Sequence, residues 1–365
     1  MARDVLAKNQ IIGISEETIS GGWGVPKTAA TQYKRQLYDV GVSLPDFGKS
    51  DGDLANTTGA HSEMPEQARR INDSTSGLKR LPFSGFLTVK NAADHLMAAF
   101  QELYGSEGSV TPYTKMFNMG DAQIDFAGGE GVTFSVGAET NHGDTPDSIS
   151  DGLILENAII DNLTLSIEPN ATGQDKYVKM NGVWVGRELE TEQNFTTAWF
   201  NEDGSAYSNS YSPTFYNTGT TSWFTMDAAD LVVGGVNFGG CFRRFSMTLN
   251  NNITSDCVTT GGKPNNYKRN RTLTFSVDIP YNSTTYQAIK SFKDGDLVVL
   301  SGFTNGTAYT SSGGVLIQSS VNYLTSQPMI VEGEYMAIRL EFMAYRPNAG
   351  YVGIIGMSDA QDKGW

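Results

Sequence analysis

Cysteine, histidine and charge are all scarce in this chain. Of 365 residues two are cysteine, Cys241 and Cys257, and three are histidine, His61, His95 and His142. Two thiols make no disulfide framework, and the expectation for them is free, buried sulfur. No His-x-x-His or Cys-x-x-Cys spacing occurs, which argues against a zinc-type site. Asp51-Gly52-Asp53 lacks the later ligands and closing Glu of a calcium loop, leaving at most a weak loop-bound ion. Neither a Gly-x-x-x-x-Gly-Lys-Ser/Thr phosphate loop nor a Gly-x-Ser-x-Gly elbow is found. No apolar run approaches the roughly 20 residues that span a bilayer, and MARDVLAKNQ at the start has no apolar leader core. These absences lead us to expect a chain with no cofactor, no metal and no membrane span, made in the cytoplasm. They also speak against an enzyme, although carboxylate pairs for glycoside hydrolysis would leave no sequence mark.

Basic residues are missing from one long stretch. Residues 116–175 hold eleven Asp or Glu and no Lys or Arg, within a chain of net charge −14. Such a stretch repels phosphate. It reads either as a solvated face that keeps the protein soluble or as a negative surface past which nucleic acid slides. Asp121, Asp125, Glu130, Glu139 and Asp161 are the candidates for such an acidic lumen or surface.

Gly, Ser, Thr, Asn and aromatic residues are abundant, which favours a β-dominated fold. The Asn-x-Ser/Thr triplets at Asn56, Asn162, Asn194, Asn252 and Asn305 follow from that composition. Residues 153–186 organise the chain. Leu163, Leu165 and Ile167 alternate with Thr164, Ser166 and Glu168, the period of a strand with one buried face. Pro169, Asn170 and Gly173 provide a turn. Residues 177–185 form the return strand, with Val178, Met180 and Trp184 on one parity. The phase slips between Ile159–Ile160 and Asp161–Asn162, which predicts a bulge or the end of an earlier strand.

The rest divides as follows. Residues 1–80 read as a polar N-terminal arm with a short strand near 36–44, ordered against a neighbouring subunit or not at all. Residues 81–190 make a first β module, 191–226 a long loop or linker, 227–345 a second β module, and 346–365 a tail. Strands are expected at 81–89, 131–139, 195–200, 223–233, 240–250, 272–279, 297–300, 315–323 and 335–345. A helix is expected over 91–105, capped by Asn91 and closed by Gly105, and a shorter one over 284–292. Residues 83–105 and 273–295 share the order strand, helix, Gly, and long strands such as 131–139 and 315–323 follow, so an internal repeat is one reading and chance likeness the other.

One basic cluster stands out: Arg243, Arg244, Lys263, Lys268, Arg269 and Arg271, with Tyr267 among them. It reads as a solvated loop, as a nucleic-acid contact, or as a subunit contact in which a positive loop meets an acidic neighbour.

Several stretches together resemble the tail tube (major tail) proteins of long-tailed bacteriophages. They are LAKNQIIGISEE at 6–17 with the Gly-rich 20–26, the strand and helix of 82–105, AIIDNLTLS at 158–166 with 178–186, and FSMTLNNNI at 245–253. The likeness covers about two thirds of the chain as spaced β patterns, and 190–221 and 350–365 have no counterpart. The resemblance implies β-sandwich modules, each flanked by one helix. It implies rings of three chains, if the repeat is real, or of six, stacked into a hollow tube. DNA would pass through without specific binding. Tape measure and tail terminator proteins would be partners, and the protein would sit in the virion tail after assembly in the host cytoplasm. A competing reading is a β-sandwich glycan-binding adhesin or virion decoration protein using Trp199, Tyr211 or Trp223.

Overall fold

The computed structural model describes residues 11–20, 23–28, 33–36, 78–88, 91–103, 113–119, 131–139, 152–169, 172, 177–193, 199–200, 230–233, 236–237, 242–255, 266–267, 269–292, 296–304, 314–332, 335–344 and 353–357. Within them the chain is mainly β. Nineteen strands join one hydrogen-bonded sheet. The first half runs β1 (Ile11–Glu16), β2 (Thr18–Ser20), β3 (Trp23–Val25), β4 (Tyr33–Gln36), β5 (Lys79–Phe86), helix α1 (Ala92–Phe100), β6 (Gln101–Leu103), β7 (Tyr113–Met119), β8 (Phe134–Glu139), β9 (Gly152–Ile167), β10 (Lys179–Gly186), β11 (Glu188–Gln193) and β12 (Trp199–Phe200). The second half runs β13 (Asp230–Val233), β14 (Val236–Asn237), β15 (Arg244–Asn250), β16 (Thr272–Pro280), helix α2 (Ser283–Ser291), β17 (Asp296–Thr304), β18 (Gly314–Ser326), β19 (Met329–Glu332), β20 (Tyr335–Ala344) and β21 (Gly353–Met357). Pairing is antiparallel except between β4 and β12.

The central element is β9. Its first part pairs with β8 and β11, its second with β10 and β15. The expected hairpin with β10 is present, and so is the bulge: Asn162 faces Val183 and Ile160 faces Trp184, leaving Asp161 as the extra residue. One extra residue swaps the faces on either side of it. Leu163 and Ile160 therefore both reach the core, while Ile159 and Val185 join a smaller cluster with Leu78, Ile253 and Tyr267.

The two halves repeat one another. β1, β5, α1, β8, β9, β10 and β11 come in the same order as β13, β16, α2, β17, β18, β20 and β21. Five pairings correspond one to one, all antiparallel. β1 with β8 matches β13 with β17, and β5 with β10 matches β16 with β20. β9 with β8, β10 and β11 matches β18 with β17, β20 and β21. Residues 131–139 thus correspond to β17, and it is β9 that corresponds to the strand at 315–323. β15 joins the halves, with β9 on one edge and β16 on the other.

The core lies on one face of this joined sheet. Gly85, Met180, Leu165, Met247, Phe275, Phe342 and Leu324 stand in register across seven strands. Gly182 is required there, because a Cβ would fall 2.6 Å from the Phe83 ring and 2.5 Å from the Asn162 carbonyl. α1 packs on this face. His95 is buried among Phe83 and Trp184, its Nδ1 donating to the Asn91 carbonyl at 2.9 Å. In the second half Phe292, just past α2, meets Phe342 at 5.2 Å between ring centres. A capping box between Asn282 and Thr285 starts α2.

Several expectations are corrected. β1 and β4, within the expected arm, are ordered against their own chain. Ile12 and Ile14 are buried in the core, and β1 pairs with β8 and β4 of its own chain. The alternation in IIGISE was short but real. Residues 353–357 are a strand on β18 and β7, not a tail. α1 stops before Gln101 and not at Gly105. Gln101 takes φ 68°, and its amide donates to the Ala98 carbonyl and accepts from Val132 N–H, which turns the chain into β6. Asn91 precedes the helix but its side chain bonds back to Thr88 and Phe86 instead of capping.

Candidate functional site

The face of the sheet opposite the core is the feature with functional character. Alternation puts the polar partners of each buried row here. Ser84, Asn181, Thr164, Thr248 and Thr274 form one row over five strands. Lys179, Ser166, Ser246, Ser276 and Glu341 form the next. Asn162, Asn250 and Thr272 form a third. Thr164 and Thr248 hydroxyls meet at 3.1 Å, a cross-strand pair that favours β structure. Most of these side chains are half-buried or exposed.

An ion ladder closes one end of the face. Arg244 reaches Glu168 at 2.6 Å, and Arg339 holds Asp278 with two bonds of 2.7 and 2.9 Å. Arg244 stands opposite Asp278, and Asp278 opposite Arg339, so the signs alternate. Lys179, Arg244 and Arg339 are matched by Glu168, Asp278 and Glu341, three against three, and the rows carry no net charge. A polyanion meeting such a face gains little from counterion release. Arg244 and Glu168 are both nearly half exposed, at 45% and 43%. Arg244→Ala should therefore change stability by less than about 1 kcal/mol, read from a denaturant midpoint.

Behind the face sits a buried polar node that sequence reasoning missed. Glu17 is 2% exposed. Its carboxylate accepts from Thr133 Oγ1 (2.6 Å), Ser135 Oγ (2.7 Å), Asn157 N (2.9 Å) and Asn157 Nδ2 (2.6 Å). Asn157 takes φ 50°, at the point where β9 passes from β8 and β11 to β10 and β15. The Asn157 amide also donates to Gly24 O at 2.8 Å. Gly24 lies so close that a Cβ would sit 2.2 Å from Glu17 Oε2. Tyr267 Oη donates to Asn157 O at 2.7 Å, and Trp23 packs edge-on to Tyr267. Burial, with the Glu17 charge second, holds the Tyr33 and Tyr267 phenols above the ordinary tyrosine range, so both remain donors. With its oxygens engaged and nearly full burial, Glu17 holds the central strand in place.

The predicted site residues fall apart. Asp161, expected on an acidic lumen or surface, is 7% exposed. As the bulge residue it pairs with Arg80 and accepts from Ile253 N–H at 2.7 Å. Arg269, expected at a subunit contact, is buried and donates to the Phe100 carbonyl at 3.3 Å. Arg243 gives its N–H to Asp278 O at 2.7 Å, Arg244 lies in the ladder, and Arg271 precedes β16. Glu139 ends β8. Lys263, Lys268, Asp121, Asp125, Glu130, Tyr211, Trp223, Cys241, Cys257, His61, His142 and the Asp51–Asp53 pair lie outside the described residues, and so does the side chain of Trp199.

Among the described residues no His, Cys, Asp or Glu group is arranged to hold a metal ion, and no helix is long and apolar enough to cross a membrane. No protein-family model matches the sequence, and no curated protein matches it. The functional reading rests on the residues and their geometry.

Proposed function

We propose that this chain is a structural protein that assembles with copies of itself into stacked rings, the hollow tail tube of a long-tailed bacteriophage. What supports the reading is the joined sheet with two unlike faces: an apolar core on one side, and on the other rows of Ser, Thr and Asn whose few charges cancel. Each half acts as one β-sandwich module with its own helix. Three chains then give a pseudo-sixfold ring. The hydroxyl face lines the passage, and DNA slides along it because the face neither collects counterions nor binds phosphate. Tape measure and tail terminator proteins are the further partners. The protein catalyses nothing and resides in the virion tail after assembly in the host cytoplasm.

Electron microscopy of the purified chain over a range of concentration and salt tests this. Rings or tubes with a central channel and threefold averages are expected. Uniform monomers under every condition would sink the reading and direct attention to a glycan screen.

A further inference from the structure

Methionine is spread unevenly between core and solvent. Met180 and Met247 lie in the core. Among the described side chains, the methionines that stand in solvent all belong to β19 and β20: Met329 is 52% exposed, Met336 48% and Met343 40%. Met329 faces Ile338 and Val331 faces Met336, so Met329 and Met336 are diagonal neighbours on one face of the β19–β20 hairpin. Val331 shares that face at 71% exposure. Tyr281 adjoins it, its N–H donating to the Met336 carbonyl at 3.1 Å, and Tyr286 meets Tyr281 edge-on. Met343 stands between Thr274 and Tyr323 in the strand register. The first half carries no sulfur at that place: Asn181 and Thr164 are paired there as Met343 and Tyr323 are here.

Two properties follow from this placement. An exposed thioether is open to two-electron oxidants, while one packed in a core is shielded from them. Sulfoxide formation turns a flexible apolar side chain into a polar one. At Met180 or Met247 that change would put an S–O dipole into the core. At Met329 and Met336 the new dipole faces water, and the strand pairing of β19 with β20 runs through backbone groups that it does not touch.

We propose that the β19–β20 hairpin is a site of oxidative modification, at which peroxide converts Met329 and Met336 to the sulfoxide and makes an apolar surface polar without unfolding the chain. The sulfur lone pair attacks one peroxide oxygen. An S–O bond forms as the O–O bond breaks, sulfur gives up two electrons, and the departing hydroxide takes the proton from the new S–OH group and leaves as water. Methionine sulfoxide reductases, one for each epimer at sulfur, are the class of enzyme that reverses the step. Met343 is the third site, and its oxidation makes the second half at that place polar, as Asn181 makes the first. The change takes place within one chain and needs no neighbouring copy, so it holds whether or not the chain builds a tube.

Treatment of the full chain with hydrogen peroxide, sampled over time by peptide mass mapping, tests it. Met329 and Met336 should gain one oxygen at least about tenfold faster than Met180 and Met247. Circular dichroism and melting temperature should stay as in the untreated protein, while binding of a dye that fluoresces on apolar surface should fall, and the reductases should restore it. The double substitution Met329→Leu and Met336→Leu keeps the surface apolar and removes both sulfurs. That variant should bind the dye as the parent does and go on binding it after peroxide. Core methionines that oxidise as fast as the hairpin, a melting temperature that falls in step with hairpin sulfoxide, a parent dye signal that peroxide leaves unchanged, or a leucine variant that loses as much dye as the parent would each overturn the proposal.

Discussion

Glu17→Ala should cost about 3–5 kcal/mol, among the largest losses a single substitution causes here. The carboxylate receives four hydrogen bonds at full burial. Removing it strands two hydroxyls, one backbone N–H and one amide, and each stranded buried group costs about 1–3 kcal/mol. Relaxation of the hydroxyl rotors and entry of water reduce the sum, hence the lower figure. The loss should be local in origin and global in effect. Asn157 loses the acceptor for its N–H while holding φ 50°, and β9 on either side of it pairs with four other strands. Glu17→Gln keeps the shape but puts an NH2 where a donor already points, and should cost less, about 1–2 kcal/mol. Calorimetric melting of the three proteins measures both steps. A Glu17→Ala protein that melts with the parent would mean that the node is held by packing alone.

That node also marks where sequence reading stops. The partners of Glu17 lie 116 to 140 residues away, and no local pattern announces them. The only trace is composition: a Glu directly after an apolar strand, IIGISE, which reads as a solvated strand end. Arg269 and Asp161 fail for the same reason. Both were placed by charge, and each finds its partner in the fold, Phe100 O for one and Arg80 with Ile253 N–H for the other. Local pattern succeeded where one face decides the outcome. Leu163, Leu165 and Ile167 against Thr164 and Ser166 gave the hairpin, and the broken phase at Asp161 gave the bulge. The same alternation runs through β15 and β16, but the hydroxyl face it makes depends on all these strands standing in one register, which no local pattern announces. The repeat was visible as strand–helix order alone, because the pairings that establish it join residues far apart in sequence.

Trp184→Ala should be comparably severe, about 3–5 kcal/mol, for an apolar reason. Trp184 is fully buried between the sheet and α1. Its ring centre lies 5.8 Å from Phe83, 5.7 Å from His95 and 5.8 Å from Phe134, so β5, α1 and β8 all lose packing together. Gly182 on the same strand lets the Phe83 ring sit directly over β10, and the cavity cannot collapse without moving that close contact. The second half has its own anchor in Phe342 and Phe292 and is untouched by the change. The two halves are nonetheless one hydrogen-bonded sheet, joined by the pairing of β7 with β21 and by β15, whose buried side chains pack on both. Cooperative units follow shared buried contacts. The substituted protein should therefore melt in a single, lower transition, with amides of β16 and β20 losing protection as well as those of β9 and β10. Two separated transitions, the later one at the parent temperature, would show instead that each half folds on its own and that β15 and the β7–β21 pairing only tether them.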